Sequence, residues 1–164
     1  MYKKTAAALI LIAILSVGLL ASCSSTSSSS ETKFADEDFI NSLARGLEDR
    51  WDIDDKLTAE GDNSVQGYRD CIQAELDQLE KYQDADFEDP ELQKKAKAYI
   101  DLLNKSMEVV EYAVSDTESD KWMEVFDQRT VMLRDFVDNY GLKVGDRYQE
   151  RLDEYVEYSK TVQS

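Results

Sequence analysis

The stretch Asp89–Val110, "DPELQKKAKAYIDLLNKSMEVV", decides the fold class, because it joins a helix start signal to a helical apolar period. Asp89 is suited to cap a helix, Pro90 to take its first position, and Glu91 to place a negative charge at the positive end of the helix dipole. Apolar residues then recur at steps of three and four: Leu92, Ala96, Tyr99, Leu103, Met107, Val110 and Val114. This spacing predicts one long amphipathic helix.

The same period extends over the chain on both sides of this helix. Upstream it predicts helices at about Asp36–Asp52 and Ser64–Gln83, separated by a polar stretch that contains glycine. Downstream it predicts a helix that carries Trp122–Tyr140, with Gly141 in the left-handed position after its end, and a last helix after Asp146. No stretch indicates a strand of consequence. The predicted fold is therefore all-α, an antiparallel bundle of four to five helices.

The first 22 residues have the pattern of an export signal. Lys3 and Lys4 form a basic start, the apolar run Ala6–Leu20 follows, and the small residues Ala21 and Ser22 close it. The apolar run has 15 residues, whereas a transmembrane helix needs about 20. The sequence therefore predicts a cleaved signal peptide over residues 1–22 rather than a membrane span.

The order Leu20, Ala21, Ser22, Cys23 resembles the lipobox of bacterial lipoproteins, in which signal peptidase II cuts just before the cysteine. The resemblance implies cleavage between Ser22 and Cys23, a diacylglycerol on the Cys23 sulfur, and in many members an acyl chain such as palmitate on its new amino group. Two acyl chains suffice for stable anchoring. An ordinary cleaved signal with an incidental cysteine is the alternative.

The location that this resemblance implies is the extracytoplasmic face of the cell membrane, with the lipid as the sole anchor. In a cell with two membranes, Ser24 after the cysteine is compatible with transfer to the outer membrane. The chain as a whole also resembles the small uncharacterised helical lipoproteins common in Gram-positive bacteria. The lipid on Cys23 is the only attached group that this resemblance implies, and we expect no other cofactor.

The mature chain divides into a tether and one domain. Residues 23–33 are the lipidated cysteine and a flexible serine-rich tether, whose ten residues from Ser24 reach about 17 Å, and residues 34–164 form a single acidic helical domain. Removal of the signal leaves 17 basic against 35 acidic residues, a net charge of −18. This charge disfavours nucleic acid and any polybasic membrane contact. It suits a cationic partner such as a basic peptide, divalent cations, or simple colloidal repulsion.

Cys71 is left without a disulfide partner if Cys23 carries lipid. Tyr68, Ile72 and Leu79 surround it at helical spacing, which predicts a small buried residue. An exposed thiol for intermolecular pairing is the alternative. The chain has no histidine to serve as a base, so neither interpretation makes Cys71 a nucleophile.

Acidic clusters are the candidates for a metal site. Asp84, Asp86 and Glu88 alternate like the opening of a calcium-binding EF-hand loop, but Asp89 and Lys95 stand where that loop needs glycine and a bidentate glutamate. A second acidic run, "DIDD", lacks the loop pattern as well. Zinc needs histidine or several thiolates, which the chain does not supply. The sequence therefore predicts no metal site.

Catalytic motifs are equally weak. The sequence contains no GxSxG elbow, SxxK pair or glycine-rich phosphate loop. Its 35 acidic residues do not single out a carboxylate pair for glycoside hydrolysis. We therefore predict that the protein is not an enzyme, and a cell-wall-modifying enzyme that uses a carboxylate pair is the alternative from that class.

The segment "ARGLEDRW", Ala44–Trp51, carries the candidate binding residues of the domain. Arg45, Arg50 and Trp51 are of the types enriched in interface hot spots, although a core tryptophan at the end of an amphipathic helix explains the same pattern. The predicted function is a lipid-anchored, extracytoplasmic binding protein of the cell envelope. Its partner would be another envelope protein, or a cationic peptide as in lipoproteins that confer bacteriocin immunity, and its oligomeric state stays open.

Overall fold

A computed structural model describes residues 35–115 and 117–162, which form one compact helical unit. Its α-helices are α1 (Asp36–Glu60), α2 (Val65–Leu79), α3 (Pro90–Val109), α4 (Ser119–Tyr140) and α5 (Asp146–Ser159). Short 3-10 helices, Glu80–Tyr82 and Val110–Val114, continue α2 and α3. The described residues contain no strand, which confirms the predicted all-α bundle. The predicted signal peptide, the cleavage site at Ser22 and Cys23, and the tether lie outside the described residues.

Successive helices from α1 to α4 run antiparallel, because the contacting residues rise along one helix as they fall along the next. These pairs are Ser42–Tyr82 and Arg50–Glu75 for α1 and α2 with its 3-10 extension, Arg69–Met107 and Glu75–Tyr99 for α2 and α3, and Lys95–Asp135 and Lys105–Glu124 for α3 and α4.

Of the helices in the described ranges, none combines the length and the hydropathy that a bilayer span requires.

The start of α3 and the end of α4 follow the local signals in the sequence. The Asp89 carboxylate accepts the backbone N–H of Glu91 at 2.8 Å, and Pro90 is the first residue of the helix. Gly141 follows α4 with φ +69°, the left-handed conformation in which glycine has no steric penalty. Both predicted boundaries are confirmed.

The predicted end of α1 is wrong, because the helix continues beyond Asp52 to Glu60 and ends at Gly61, whose φ is +70°. The local sequence there is polar, and this favoured a break. The additional turns are supported instead by ion pairs to α5 that a local pattern does not show, as in the pair between Asp55 and Arg151.

The core consists mainly of the residues that the helical period selected. Fully buried members include Phe39, Leu43, Leu47, Ile72, Leu79, Ala96, Tyr99, Leu103, Leu133, Phe136 and Leu152. Val114 is the main departure, since 44% of it is exposed although it continues the apolar stripe of α3. The stripe leaves the core there because α3 has already changed to a 3-10 helix, which rotates the following residues off the buried face.

The beginning of α1 is fastened to the loop between α2 and α3. Ala35 donates its N–H to the carbonyl of Asp86 at 3.0 Å. The Asp36 carboxylate accepts the backbone N–H groups of Glu88 and Asp89 at 2.8 and 2.9 Å. The acidic loop that resembled an EF-hand therefore uses its backbone to hold the first turn of the domain.

A buried carboxylate joins the first four helices. Glu75 is fully buried, and its Oε2 lies 3.0 Å from Arg50 Nη1. The Tyr99 hydroxyl donates to Oε1 at 2.5 Å and accepts from Arg129 Nε at 3.1 Å. Arg129 Nη2 also lies 3.3 Å from Oε2, which is within ion-pair distance but outside hydrogen-bond alignment. One side chain from each of α1 to α4 therefore meets at this point.

The surroundings of Tyr99 and Arg129 keep both side chains protonated. Burial raises the pKa of the Tyr99 hydroxyl, and the neighbouring charge of Glu75 raises it further. Burial alone would lower the pKa of Arg129, but Glu75 and Tyr99 outweigh it and raise that pKa.

Gly46 allows α1 to approach α2 at the level of Glu75. A Cβ at position 46 would lie 3.2 Å from the backbone oxygen of Glu75 and 3.3 Å from its Cα. Glycine inside a helix costs about 0.5–1 kcal/mol relative to alanine. The close approach offsets this cost, because it brings the Glu75 side chain within reach of Arg50.

We expect Glu75→Gln to destabilise the domain by about 3–5 kcal/mol, because it leaves Arg50 and Arg129 buried without their carboxylate. Urea unfolding of residues 34–164, followed by tryptophan fluorescence, measures the change. Glu80→Gln makes the same substitution at an exposed position nearby and should change the unfolding free energy by less than about 0.5 kcal/mol. Equal effects of the two variants would contradict a structural role for the buried charge.

Candidate functional site

A groove of about 560 Å³ follows the outward side of α4. Ala98 and Leu102 of α3 form one wall, and Val162, which follows α5, lies at another edge. The residues that α4 contributes are Glu124, Asp127, Gln128, Val131 and Met132. The floor is mainly apolar, two carboxylates stand on the rim, and no lysine or arginine is among the lining residues. Concave apolar surfaces with a few placed polar groups are typical of binding sites.

The groove is possible because α4 has two different faces. Val125, Arg129 and Leu133 are buried on the inner face, at the steps of four that point toward the core. Glu124 and Gln128, which precede two of them, lie on the outer face and are exposed. Residues spaced three and four apart share one side of a helix. A single orientation of α4 about its axis therefore buries the core stripe and exposes the polar rim.

The rim carboxylates have exposed polar partners. Glu124 Oε1 lies 3.7 Å from Lys105 Nζ and accepts from Gln128 Nε2 at 3.2 Å. The Tyr158 hydroxyl donates to Asp127 Oδ1 at 2.8 Å, and this hydrogen bond raises the pKa of Tyr158. Exposed pairs of this kind contribute little to stability, so both carboxylates can exchange these partners for a ligand cation.

Two large apolar side chains near α4 are partly exposed. Met123 is 38% exposed and lies one helical turn before Asp127. Tyr158 is 37% exposed and reaches Asp127 through its hydroxyl. Through this hydrogen bond Tyr158 places an aromatic ring beside the rim of the groove.

The structure does not bring Arg45, Arg50 and Trp51 together as an exposed anchor. Arg50 is buried against Glu75, and Trp51 is buried with its ring 5.6 Å from that of Tyr148. Arg45 is exposed on the other side of α1. The placement of Trp51 agrees with the structural interpretation, a core tryptophan on an amphipathic helix.

The acidic run "DIDD" ties α1 to α5. Its ion pairs are those of Arg147 with Asp52 and Asp55, and of Arg151 with Asp54 and Asp55. Tyr148 also donates its hydroxyl to Asp52 at 2.6 Å, and this hydrogen bond, with the charge of Arg147, lowers the pKa of Asp52. These carboxylates therefore have a structural role in holding α5.

Cys71 lies in the interior of the bundle. Cys71 is only 3% exposed, as its helical spacing predicted, and burial raises the pKa of its thiol. Within residues 35–115 and 117–162, no group of three or more Asp, Glu, Cys or His side chains is placed to hold a metal ion.

Sequence reasoning missed the groove residues, because Glu124, Asp127 and Gln128 match the solvated face of an ordinary amphipathic helix. The one local signal was Val131 and Met132, where apolar residues interrupt the polar side of α4. Their position in a groove depends on how α3 and the residues after α5 pack around α4.

We expect Asp52→Asn to weaken the domain at pH 7 and to lose this effect in acid. The folded pKa of Asp52 is below its ordinary value of 3.8, so its stabilisation is present above that pH and is lost as the pH falls through the folded pKa. Urea unfolding of both proteins between pH 7 and pH 2.5 measures the difference.

Asp70→Asn, at an exposed position of α2, is the control for removal of one negative charge. A deficit in Asp52→Asn that stays constant over this pH range would contradict the ionic origin of the contact.

Comparison with known proteins identifies no relative that could assign the groove. No protein-family model matches this chain, and neither a curated protein nor a solved structure does.

Proposed function

We propose that this chain is a lipid-anchored, extracytoplasmic binding protein of the bacterial cell envelope. The anchor is inferred from the order of a basic start, an apolar run of 15 residues and the lipobox-like sequence that ends at Cys23. A diacylglycerol on Cys23, with an acyl chain on its amino group, would supply the two chains that stable membrane attachment needs.

The groove on α4 is the observation that carries the binding function. It combines an apolar floor, the aromatic ring of Tyr158 beside the rim at Asp127, and carboxylates whose polar partners are exposed. Concave surfaces of this composition are typical of binding sites.

The alternative of a wall-modifying enzyme has less support from the groove. Glu124 and Asp127 are three residues apart on one helix, so they stand side by side on the same rim. Glycoside hydrolysis needs two carboxyl groups that flank the scissile bond from opposite sides. This pair therefore lacks the arrangement that glycoside hydrolysis uses.

The tether sets where binding would occur. Ten residues of serine-rich chain reach about 17 Å, so the domain would remain near the membrane that holds the lipid. Its acidic charge would repel anionic head groups and keep the groove free of the lipid surface.

Replacement of Cys23 tests the anchor. We expect Cys23→Ala to abolish metabolic labelling with a fatty acid and to leave precursor that signal peptidase II does not cleave, because the acceptor sulfur is gone. Cys71→Ala should keep both labelling and cleavage. Persistent labelling of Cys23→Ala would refute the lipoprotein assignment.

Site-directed photo-crosslinking tests the binding function in intact envelopes. A photoreactive residue in place of Gln128 should give a discrete crosslinked product, because a partner bound in the groove would lie within reach of this side chain. The same residue at the exposed Glu80 is the control. Identical patterns from the two positions, or no product from either, would contradict a binding site on α4.

A further inference from the structure

We propose that the α4 groove binds a cationic, amphipathic peptide segment in helical form. The proposal rests on the binding function above and adds the chemistry of the partner. Two properties of the described residues lead to it: the apolar surface and the charge.

The groove lies near the middle of the two helices that form most of its lining. Ala98 and Leu102 flank the midpoint of α3, and Gln128, Val131 and Met132 lie around the midpoint of α4.

The apolar surface fits one face of a helix. Leu102, Val131 and Met132 contribute the apolar lining, and Tyr158 stands beside the rim at Asp127. Amphipathic helices dock in such grooves through apolar anchors spaced three and four residues apart. Met132 suits this role, because its flexible side chain adapts to anchors of different shape.

The charge selects a cationic partner. Glu124 and Asp127 stand on the rim of the groove. The ion pair between Glu124 Oε1 and Lys105 Nζ is long, at 3.7 Å, and exposed, so a ligand cation can replace Lys105. The whole mature chain carries a net charge of −18, which would attract a basic peptide over a long range and repel an acidic one. Lysine or arginine beside the apolar anchors would therefore pair with this rim.

The test uses the lipidated protein purified from membranes and held in phosphatidylcholine nanodiscs, with empty nanodiscs as the reference. The probe is a fluorescent 14-residue peptide of leucine and lysine at helical spacing, and glutamate replaces lysine in the matched acidic peptide. Fluorescence anisotropy should show saturable binding of the lysine peptide and no binding of the glutamate peptide.

Two double variants with the same charge change locate the site. Glu124→Gln with Asp127→Asn should weaken binding about tenfold or more, whereas Asp77→Asn with Glu80→Gln, on α2 and its 3-10 extension, should change it less than about twofold. Equal losses would show diffuse attraction and overturn the groove assignment.

Val131→Glu separates apolar from ionic recognition, because it adds a negative charge while removing part of the floor. We expect weaker binding despite that charge, with an unchanged circular dichroism spectrum to show that the domain is folded. Binding that becomes tighter would overturn the apolar part of the proposal.

The peptide-binding and crosslinking experiments together distinguish a failure of the peptide assignment from a failure of the proposed binding function. If the lysine peptide does not bind but Gln128 still gives a crosslinked product in envelopes, the peptide assignment is wrong and the binding function stands. If the product is a pair of copies of this chain, the groove is a self-association surface and the peptide assignment is also wrong. If neither experiment detects a partner, both proposals fail.

Discussion

The buried carboxylate of Glu75 is the constraint on which the bundle depends. A charge that is removed from water is strongly destabilising unless ion pairs and hydrogen bonds replace its hydration. Its partners, Arg50, Tyr99 and Arg129, come from three other helices. A shift of any of these helices by one turn would separate Glu75 from its partners and leave the charge buried without them. The close approach at Gly46 belongs to the same constraint, since a larger residue there would separate α1 from α2.

The network also determines what the surface presents. Arg129 is held toward the interior by Tyr99 and Glu75, so the opposite side of α4 must face outward. Asp127 and Val131 lie on that side, two residues before and after Arg129. The groove is therefore a consequence of the core, because the orientation that satisfies the buried charge is the one that displays the apolar floor and its acidic rim. Loop motion is not required to form it.

The sequence predicts the parts of this fold that depend on local chemistry. The cap at Asp89, the left-handed Gly141 and the apolar stripes are determined within a few residues of chain, and the structure has them where they were expected. The extension of α1 beyond Asp52 depends on arginines almost a hundred residues later, which a local pattern does not contain. Likewise, the local sequence does not distinguish Arg50 from an exposed arginine, because its partner Glu75 belongs to another helix. The groove was missed for this reason, since its polar residues acquire a role only from the packing of other segments.

The fastening of the first turn gives the domain a mechanical property. A force applied at the N-terminal end would act on Ala35 and Asp36, where three hydrogen bonds to the α2–α3 loop share the load. The loop is itself held between α2 and α3, so these bonds connect the first turn of α1 to the interior of the bundle. Chain ends are usually the first part of a domain to fray, and this fastening would keep α1 from unwinding at its start.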